Sequence, residues 1–290
     1  MSGYIQKQLS KIFQKEVTQP PVNLEKRCRI IAPATRKGGS GKSVTMVSMA
    51  ACLAEMGYKV LLVDLDDSGD ATFNIGGSKV SWEFTIADVL NGEATIHQAL
   101  APSEIVTQTD GCVWFLGGGL SNQTYARDNA HLVGTVFNLR DNLEKIKEKF
   151  DFVLLDPPPA MGFWNLASIC AADYLISPVS GPAELTGFRA MRSAIEKVAP
   201  VNSNLKHLGA FITMSNTQTV IYKDIKKRLD KETSLFSAEI PMDTKIKEAF
   251  ISKMPVTIYA PNSRGAQAYR ALTREVLEKC AQLESPLKTS

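Results

Sequence analysis

The chain has 290 residues, of which 44% are hydrophobic and 22% are charged. This composition is that of a globular protein with a buried core, and it excludes an intrinsically disordered chain. The net charge of +3 excludes a histone-like polycation but is compatible with a local basic surface.

The cysteines and the hydropathy pattern indicate the environment of the protein. The chain has five cysteines, with no CxxC pair and no histidine spacing suited to zinc, so we expect reduced thiols. They are Cys28, Cys52, Cys112, Cys170 and Cys280. No segment has the apolar core of a secretion signal or the roughly 18 apolar residues of a membrane span. We therefore expect a cytoplasmic protein.

The first predicted element is a helix in an N-terminal extension, residues 1–28. Apolar residues recur there at steps of three and four, from Tyr4 to Val17, before Pro20 and Pro21 interrupt the pattern. The simpler interpretation is a helix that packs on its own domain or on a partner subunit. A helix that binds another protein or a membrane surface remains the alternative.

From residue 29 onwards, short β-type segments alternate with helical patterns. The predicted strands are 29–32, 60–64, 112–116, 152–156, 174–178, 208–213 and 236–240. The predicted helices are 41–56, 133–149, 183–198, 218–230, 243–252 and 264–283. Several strands are continuous apolar runs, as expected when helices cover both faces of a sheet. The pattern predicts an α/β fold with a single doubly wound, mostly parallel sheet, in one domain spanning 29–290.

The segment Gly38-Gly39-Ser40-Gly41-Lys42-Ser43 lies between the first predicted strand and the helix that follows it. Glycines allow successive backbone N–H groups to point at phosphate oxygens, and the helix N-terminus adds the positive end of its dipole. Lys42 would reach the β and γ phosphates, and the Ser43 hydroxyl would bind Mg²⁺. The segment therefore predicts a nucleotide phosphate loop.

Carboxylates follow two of the apolar strands. Asp64 and Asp66 end the second strand, and Asp156 ends the fourth. Open α/β sheets bind ligands at the carboxyl ends of their strands, so these side chains should converge on the phosphate loop. The predicted Mg²⁺ site comprises Ser43 and the three aspartates, with Asp156 well placed to hold the water shell of the ion.

With the preceding Lys37, the loop has the form KGGxGK[ST], which resembles the deviant Walker A motif of the ParA/MinD superfamily of P-loop ATPases. The resemblance extends over residues 29–280. The segments 64–72, 156–162 and 240–249 resemble further motifs of ParA-type DNA partition ATPases, and so does the pattern from Pro255 to Tyr269. The resemblance implies the P-loop NTPase fold.

The resemblance also implies a mechanism in which ATP with Mg²⁺ is sandwiched between two protomers of a homodimer. Lys37 would reach the partner's nucleotide, and Lys42 and Asp66 would complete the catalytic set, with Asp66 positioning the attacking water. ATP hydrolysis would be slow and partner-stimulated. The implied ATP-binding residues are Lys37, Gly38, Gly39, Ser40, Gly41, Lys42, Ser43 and Val44, together with Thr213, Met214, Pro241 and Met242 around the adenine.

Relatives of this type bind double-stranded DNA without sequence preference. The resemblance therefore implies a nucleoid-associated protein in the cytoplasm that segregates plasmid or chromosomal DNA with a ParB-like centromere-binding partner. The candidate DNA-binding residues are Lys223, Lys227, Lys245, Lys247, Lys253, Arg264 and Arg270.

Two alternatives remain open at this stage. Asp67 and Ser68 replace the usual Pro-Gln of the family, so the chain could be a nucleotide-switched binding protein with little turnover. A MinD-like membrane-positioning ATPase would use a terminal amphipathic helix, but the apolar residues of 272–283 look like core packing. We therefore expect no stable membrane association.

Overall fold

The computed structural model describes residues 22, 24–35, 38–132, 134–159, 162–181, 193, 195, 196, 198, 200–215 and 219–284. The predicted N-terminal helix lies outside these residues, and so does nearly all of the predicted helix 183–198.

A seven-stranded sheet in the order β3-β4-β2-β5-β1-β6-β7 forms the centre of the fold. All neighbouring strands are parallel except β3, which runs antiparallel to β4. The strands are β1 (Arg29–Pro33), β2 (Lys59–Asp64), β3 (Leu100–Pro102), β4 (Cys112–Leu116), β5 (Phe152–Asp156), β6 (Tyr174–Val179) and β7 (Lys206–Ile212). The predicted mostly parallel sheet is confirmed.

Helices cover both faces of the sheet. In the described residues they are α1 (Lys42–Glu55), α2 (Asp70–Gly76), α3 (Ile86–Leu90), α4 (Ile96–Ala99), α5 (Leu120–Asn129), α6 (Asn138–Glu144), α7 (Phe163–Ala171), α8 (Val220–Glu232), α9 (Thr244–Ile251), α10 (Val256–Tyr259) and α11 (Arg264–Glu284). Successive residues of each strand point to opposite faces, so the sheet supplies two cores. One core packs on α1 and α11, and the other packs on α7.

The predicted strand 236–240 is wrong. This segment runs beside β7 without forming a strand. Isolated bridges join Leu235 to Ala210 on β7 and Pro241 to Ser215 just after it. The carboxylate of Glu275 on α11 accepts hydrogen bonds from the backbone N–H groups of Ser237 and Ala238, at 2.8 and 3.0 Å. Because these donors are bound to a side chain, they are not available for a continuous ladder.

The predicted helix 133–149 is divided into three pieces. A 3₁₀ turn at Thr135–Phe137 leads into α6, and a second turn follows at Lys147–Lys149. The N–H groups of Lys145 and Ile146 bond to carbonyls three residues back, which tightens the end of α6 to 3₁₀ geometry.

The protonation of His207, on β7, should make the free energy of unfolding depend on pH. Its Nε2 lies 2.9 Å from the Ser177 hydroxyl, which donates to the carbonyl of Ala34 just before the phosphate loop. Burial and then the Lys279 charge lower the pKa of His207 to about 4, from an ordinary value of 6.5. As pH falls, the unfolded chain is protonated first, so the stability that neutral His207 provides above pH 6.5 is lost between about 6.5 and 4.

Lowering the pH from 7 to 4.5 should therefore reduce the free energy of unfolding of the wild type by about 2 kcal/mol more than that of His207→Gln. Urea unfolding at the two pH values measures this difference. An equal loss in both proteins would contradict the assignment to His207.

Candidate nucleotide site

The phosphate loop connects β1 to α1 with a backbone that requires glycine. Gly39 and Gly41 have φ values of 76° and 88°, in the left-handed region that other residues rarely adopt. The buried Ser40 lies between them, and its carbonyl accepts a hydrogen bond of 3.1 Å from the Thr213 hydroxyl. The loop is thereby anchored to the segment after β7, and α1 begins at Lys42.

Lys42 and Asp156 form the polar centre of the site. The Lys42 side chain is 6% exposed, and burial lowers its pKa, while the charges of Asp156 and Asp66 oppose this shift. Asp156 is 1% exposed, and neither of its carboxylate oxygens has a hydrogen-bond partner among the described residues. Burial, followed by the charge of Asp64, raises the pKa of Asp156 well above its usual range, although Ser43 and Lys42 lower it.

Asp64 lies directly beside Asp156 in the sheet, since the two residues are paired across β2 and β5. Its carboxylate is already hydrogen-bonded. One oxygen accepts from the Thr72 backbone N–H at 2.8 Å and from the Thr72 hydroxyl at 2.7 Å, and the other accepts from the Asp66 N–H at 3.1 Å. Asp64 thus holds the start of α2 and the preceding loop in place.

Sequence reasoning missed two residues that support this cluster, Gly118 and Asn122. The Gly118 N–H donates to the Thr72 hydroxyl at 2.9 Å, and a Cβ at Gly118 would lie 2.5 Å from the Asp66 carbonyl oxygen. Asn122 donates to the Asp64 carbonyl at 3.1 Å. The run of three glycines after β4 was the available sequence signal for a close approach to β2.

Asp66 and Asp67 lie in the loop between β2 and α2 and are partly exposed. Burial, and then a hydrogen bond with the Asp67 side chain, raise the pKa of Asp66. The extra carboxylate at Asp67 therefore acts on Asp66, the predicted catalytic aspartate.

A small cavity of about 70 Å³ adjoins the phosphate loop. The structure brings Val44 together there with the four residues predicted to surround adenine, Thr213, Met214, Pro241 and Met242. Tyr269 closes one side, and its hydroxyl lies 3.5 Å from that of Thr45 on α1. The cavity also reaches Ile246 and Lys247 on α9.

The other predicted nucleotide residue, Lys37, lies outside the described residues. Gly38 is described, and a Cβ there would be 3.4 Å from Pro159, just after β5. The loop and the end of β5 therefore approach closely.

The site fits Mg²⁺ held jointly by protein and phosphate. No group of three or more His, Cys, Asp or Glu side chains in the described ranges is arranged to hold a metal alone. Mg²⁺ commonly keeps several waters and binds through one or two carboxylates plus substrate phosphates. The buried oxygens of Asp156 have no hydrogen-bond partner in the described part of the chain, so this carboxylate is chemically suited to such a shell beside Ser43.

Comparison with known proteins identifies the family. A family model described as an AAA domain matches residues 28–207. The chromosome-partitioning ATPase Soj of Thermus thermophilus is 33% identical over 261 residues, which cover 88% of this chain and 98% of that protein. The chain belongs to the ParA/MinD superfamily.

Two solved structures support this membership. Cobyrinic acid a,c-diamide synthase from Mycobacterium smegmatis, with a bound ATP analog and magnesium, has a TM-score of 0.72 at 27% identity, covering 87% of this chain and 95% of that one. MinD from Pyrococcus horikoshii with Mg-ADP has a TM-score of 0.71 at 25% identity, covering 86% and 96%. Their ligands agree with the predicted cofactors, ATP and Mg²⁺.

The candidate DNA-binding residues of this ParA/MinD member fall into two groups. Three of them are ion-paired, Lys245 with Glu248 at 2.7 Å, Lys253 with Asp70 at 3.0 Å and Arg270 with Glu55 at 2.7 Å. The remaining four are exposed and have no ion pair with a described residue. They are Lys223, Lys227, Lys247 and Arg264.

The C-terminal helix α11 is mainly a core element. Leu272, Val276 and Leu277 are at most 1% exposed, whereas Leu283 is 44% exposed, so the core prediction is wrong for Leu283 alone. No helix in the described part of the chain has the length and apolar character needed to span a membrane.

Proposed function

We propose that this protein is an ATP-dependent partition ATPase that dimerises around ATP, binds DNA without sequence preference and is stimulated by a ParB-like partner. One observation carries the proposal. Helix α9 borders the cavity beside the phosphate loop through Ile246 and Lys247, and the same helix presents Lys245 and Lys247 at the surface. An adenine base bound in this cavity would therefore contact α9, the helix that carries part of the basic surface.

Hydrolysis in this proposal depends on the charges around the phosphate loop. When bound, Mg²⁺ neutralises phosphate charge during phosphoryl transfer. Lys42 would stabilise the same charge from the protein, Ser43 and Asp156 would hold the ion, and Asp66 would orient the attacking water. Lys37 would act on the nucleotide of the second protomer. The names and ligands of the relatives support this assignment.

The DNA-binding surface is proposed to centre on the four cations that have no ion pair with a described residue. Each of these cations that neutralises a phosphate releases counterions from the DNA, so the affinity for DNA should fall steeply with salt. A dimer presents every such cation twice. The ParB-like partner, the nucleoid location and slow turnover follow from the family resemblance and remain part of the proposal.

The salt dependence tests this surface. In the double variant Lys223→Ala/Lys227→Ala, the slope of log affinity against log salt should become shallower by about two for each protomer on the DNA. Both lysines are exposed, so folding should be retained. Lys145→Ala/Lys149→Ala, which removes two lysines at the end of α6 and in the turn after it, is the matched control. A slope equal to that of the wild type would show that this face of α8 does not bind DNA.

The MinD-like alternative uses the same phosphate chemistry but a membrane in place of DNA. Co-sedimentation with vesicles of anionic lipid in the presence of ATP separates the two functions. We expect the protein to remain in the supernatant, and ATP-dependent pelleting would favour the alternative.

A further inference from the structure

Lys253 follows α9 in a backbone conformation that is unusual for a lysine. Its φ is 54°, in the left-handed region. The Lys253 N–H bonds to the Phe250 carbonyl, and the Met254 N–H bonds to the Ala249 carbonyl, as in the turn that ends many helices with glycine at this position. A lysine here carries a conformational cost, which indicates that its side chain has a role.

The Lys253 side chain reaches across to α2. Its ammonium lies 3.0 Å from the carboxylate of Asp70, the first residue of that helix, and 5.6 Å from the ring centres of both Phe73 and Phe250. These contacts join α9 to α2 through charge and through cation–π attraction. The ammonium is therefore engaged by groups of its own chain, in contrast to the exposed Lys223 and Lys227.

Helix α2 in turn holds the proposed hydrolytic cluster. Thr72 donates twice to Asp64, and the loop that carries Asp66 runs directly into Asp70. Phe73, under the ammonium, packs edge-on against Trp82 at 5.3 Å. A displacement of Asp70 would therefore move the segment that positions Asp66.

We propose that Lys253 is a positioning residue for the Asp66 loop, acting through Asp70, and that it couples α9 to ATP hydrolysis and does not contact DNA. The opposite end of α9 borders the cavity beside the phosphate loop, so one short helix connects that cavity to the hydrolytic loop. The inference rests on the proposed hydrolysis, but it is independent of the proposed DNA binding.

The test uses Lys253→Gly, because glycine adopts the left-handed turn without strain and should preserve the fold. Without DNA, we expect kcat for ATP to fall at least fivefold, with KM within twofold of the wild type. Asp70→Asn should have the same effect, and the double variant should lose no more than either single variant. Lys253→Arg should keep at least half of the activity. Lys145→Gly at the end of α6 is the control.

A second readout needs no nucleotide. In apo Lys253→Gly, the backbone amides of Thr72 and Phe73 should exchange hydrogen at least tenfold faster than in the wild type, because α2 loses its contact with α9. The affinity for DNA should stay within threefold of the wild type. If the wild type fails to bind DNA, the function proposed above fails, while kcat and exchange still test Lys253.

Two results would overturn the inference. One is a wild-type exchange rate together with a wild-type kcat. The other is a large loss of DNA affinity with kcat retained, which would return Lys253 to the DNA-binding surface.

Discussion

Replacing Lys42 with glutamine is expected to reduce the rate of ATP hydrolysis by a factor of about 10² to 10³. Lys42 lies at the N-terminus of α1, where the charge of Asp156 acts on it. In the proposed reaction it would supply a positive charge where phosphate charge develops. Because it is almost fully buried, the charge acts with little screening by water. Steady-state phosphate release measures the effect.

The loss of hydrolysis in Lys42→Gln can be distinguished from a loss of folding. Burial lowers the pKa of Lys42, so the folded apo protein bears a cost for this cation that glutamine would remove. The free energy of unfolding of apo Lys42→Gln should therefore be no lower than that of the wild type. Lys79→Gln removes an exposed lysine and serves as the control. A kcat/KM within threefold of the wild type in Lys42→Gln would contradict the role assigned to this lysine.

Replacing Glu284 with glutamine is expected to lower the free energy of unfolding by about 3–5 kcal/mol. Glu284 ends α11, and its carboxylate accepts hydrogen bonds from Arg27 at 2.7 Å, from Arg29 Nε at 2.9 Å and from the Tyr174 hydroxyl at 2.8 Å. The Arg29 side chain is 2% exposed and that of Glu284 is 7% exposed. The variant would leave a buried guanidinium without its anion.

Urea unfolding measures this loss, and Glu278→Gln is the control. Glu278 is exposed on the same helix, so its replacement should change stability by no more than about 0.5 kcal/mol. Equal stability of the two variants would show that the contact between β1 and the end of α11 contributes little.

The sequence predicted the central strands because their apolar runs are long enough to be buried on both faces. The strands β4 and β5 match their predicted bounds to the residue. Short helices such as α3 and α4 were missed, since four or five residues give too few turns for a helical period. The strand prediction at 236–240 was wrong because backbone N–H groups of this segment bond to Glu275, which lies far away in the sequence.

In the candidate site, too, local sequence patterns were predicted and contacts between distant residues were not. The phosphate loop and the strand-end carboxylates were found because each is a local pattern with a known geometric consequence. The contacts of Thr72 with Asp64 and of Lys253 with Asp70 were not found, since they join residues that only the fold brings together. Lys253 was predicted to bind DNA from its charge and from the family resemblance of its region, and nothing in the sequence indicated its ion pair with Asp70.

The proposed function requires ATP to switch the protein between a form that binds DNA and one that does not. Fluorescence anisotropy of a labelled duplex of arbitrary sequence, titrated with wild-type protein at low salt, tests it most directly. We predict binding with ATP and Mg²⁺, an affinity that falls steeply as salt is added, and little binding with ADP or without nucleotide. Equal binding without nucleotide, or no binding with ATP at low salt, would contradict the account.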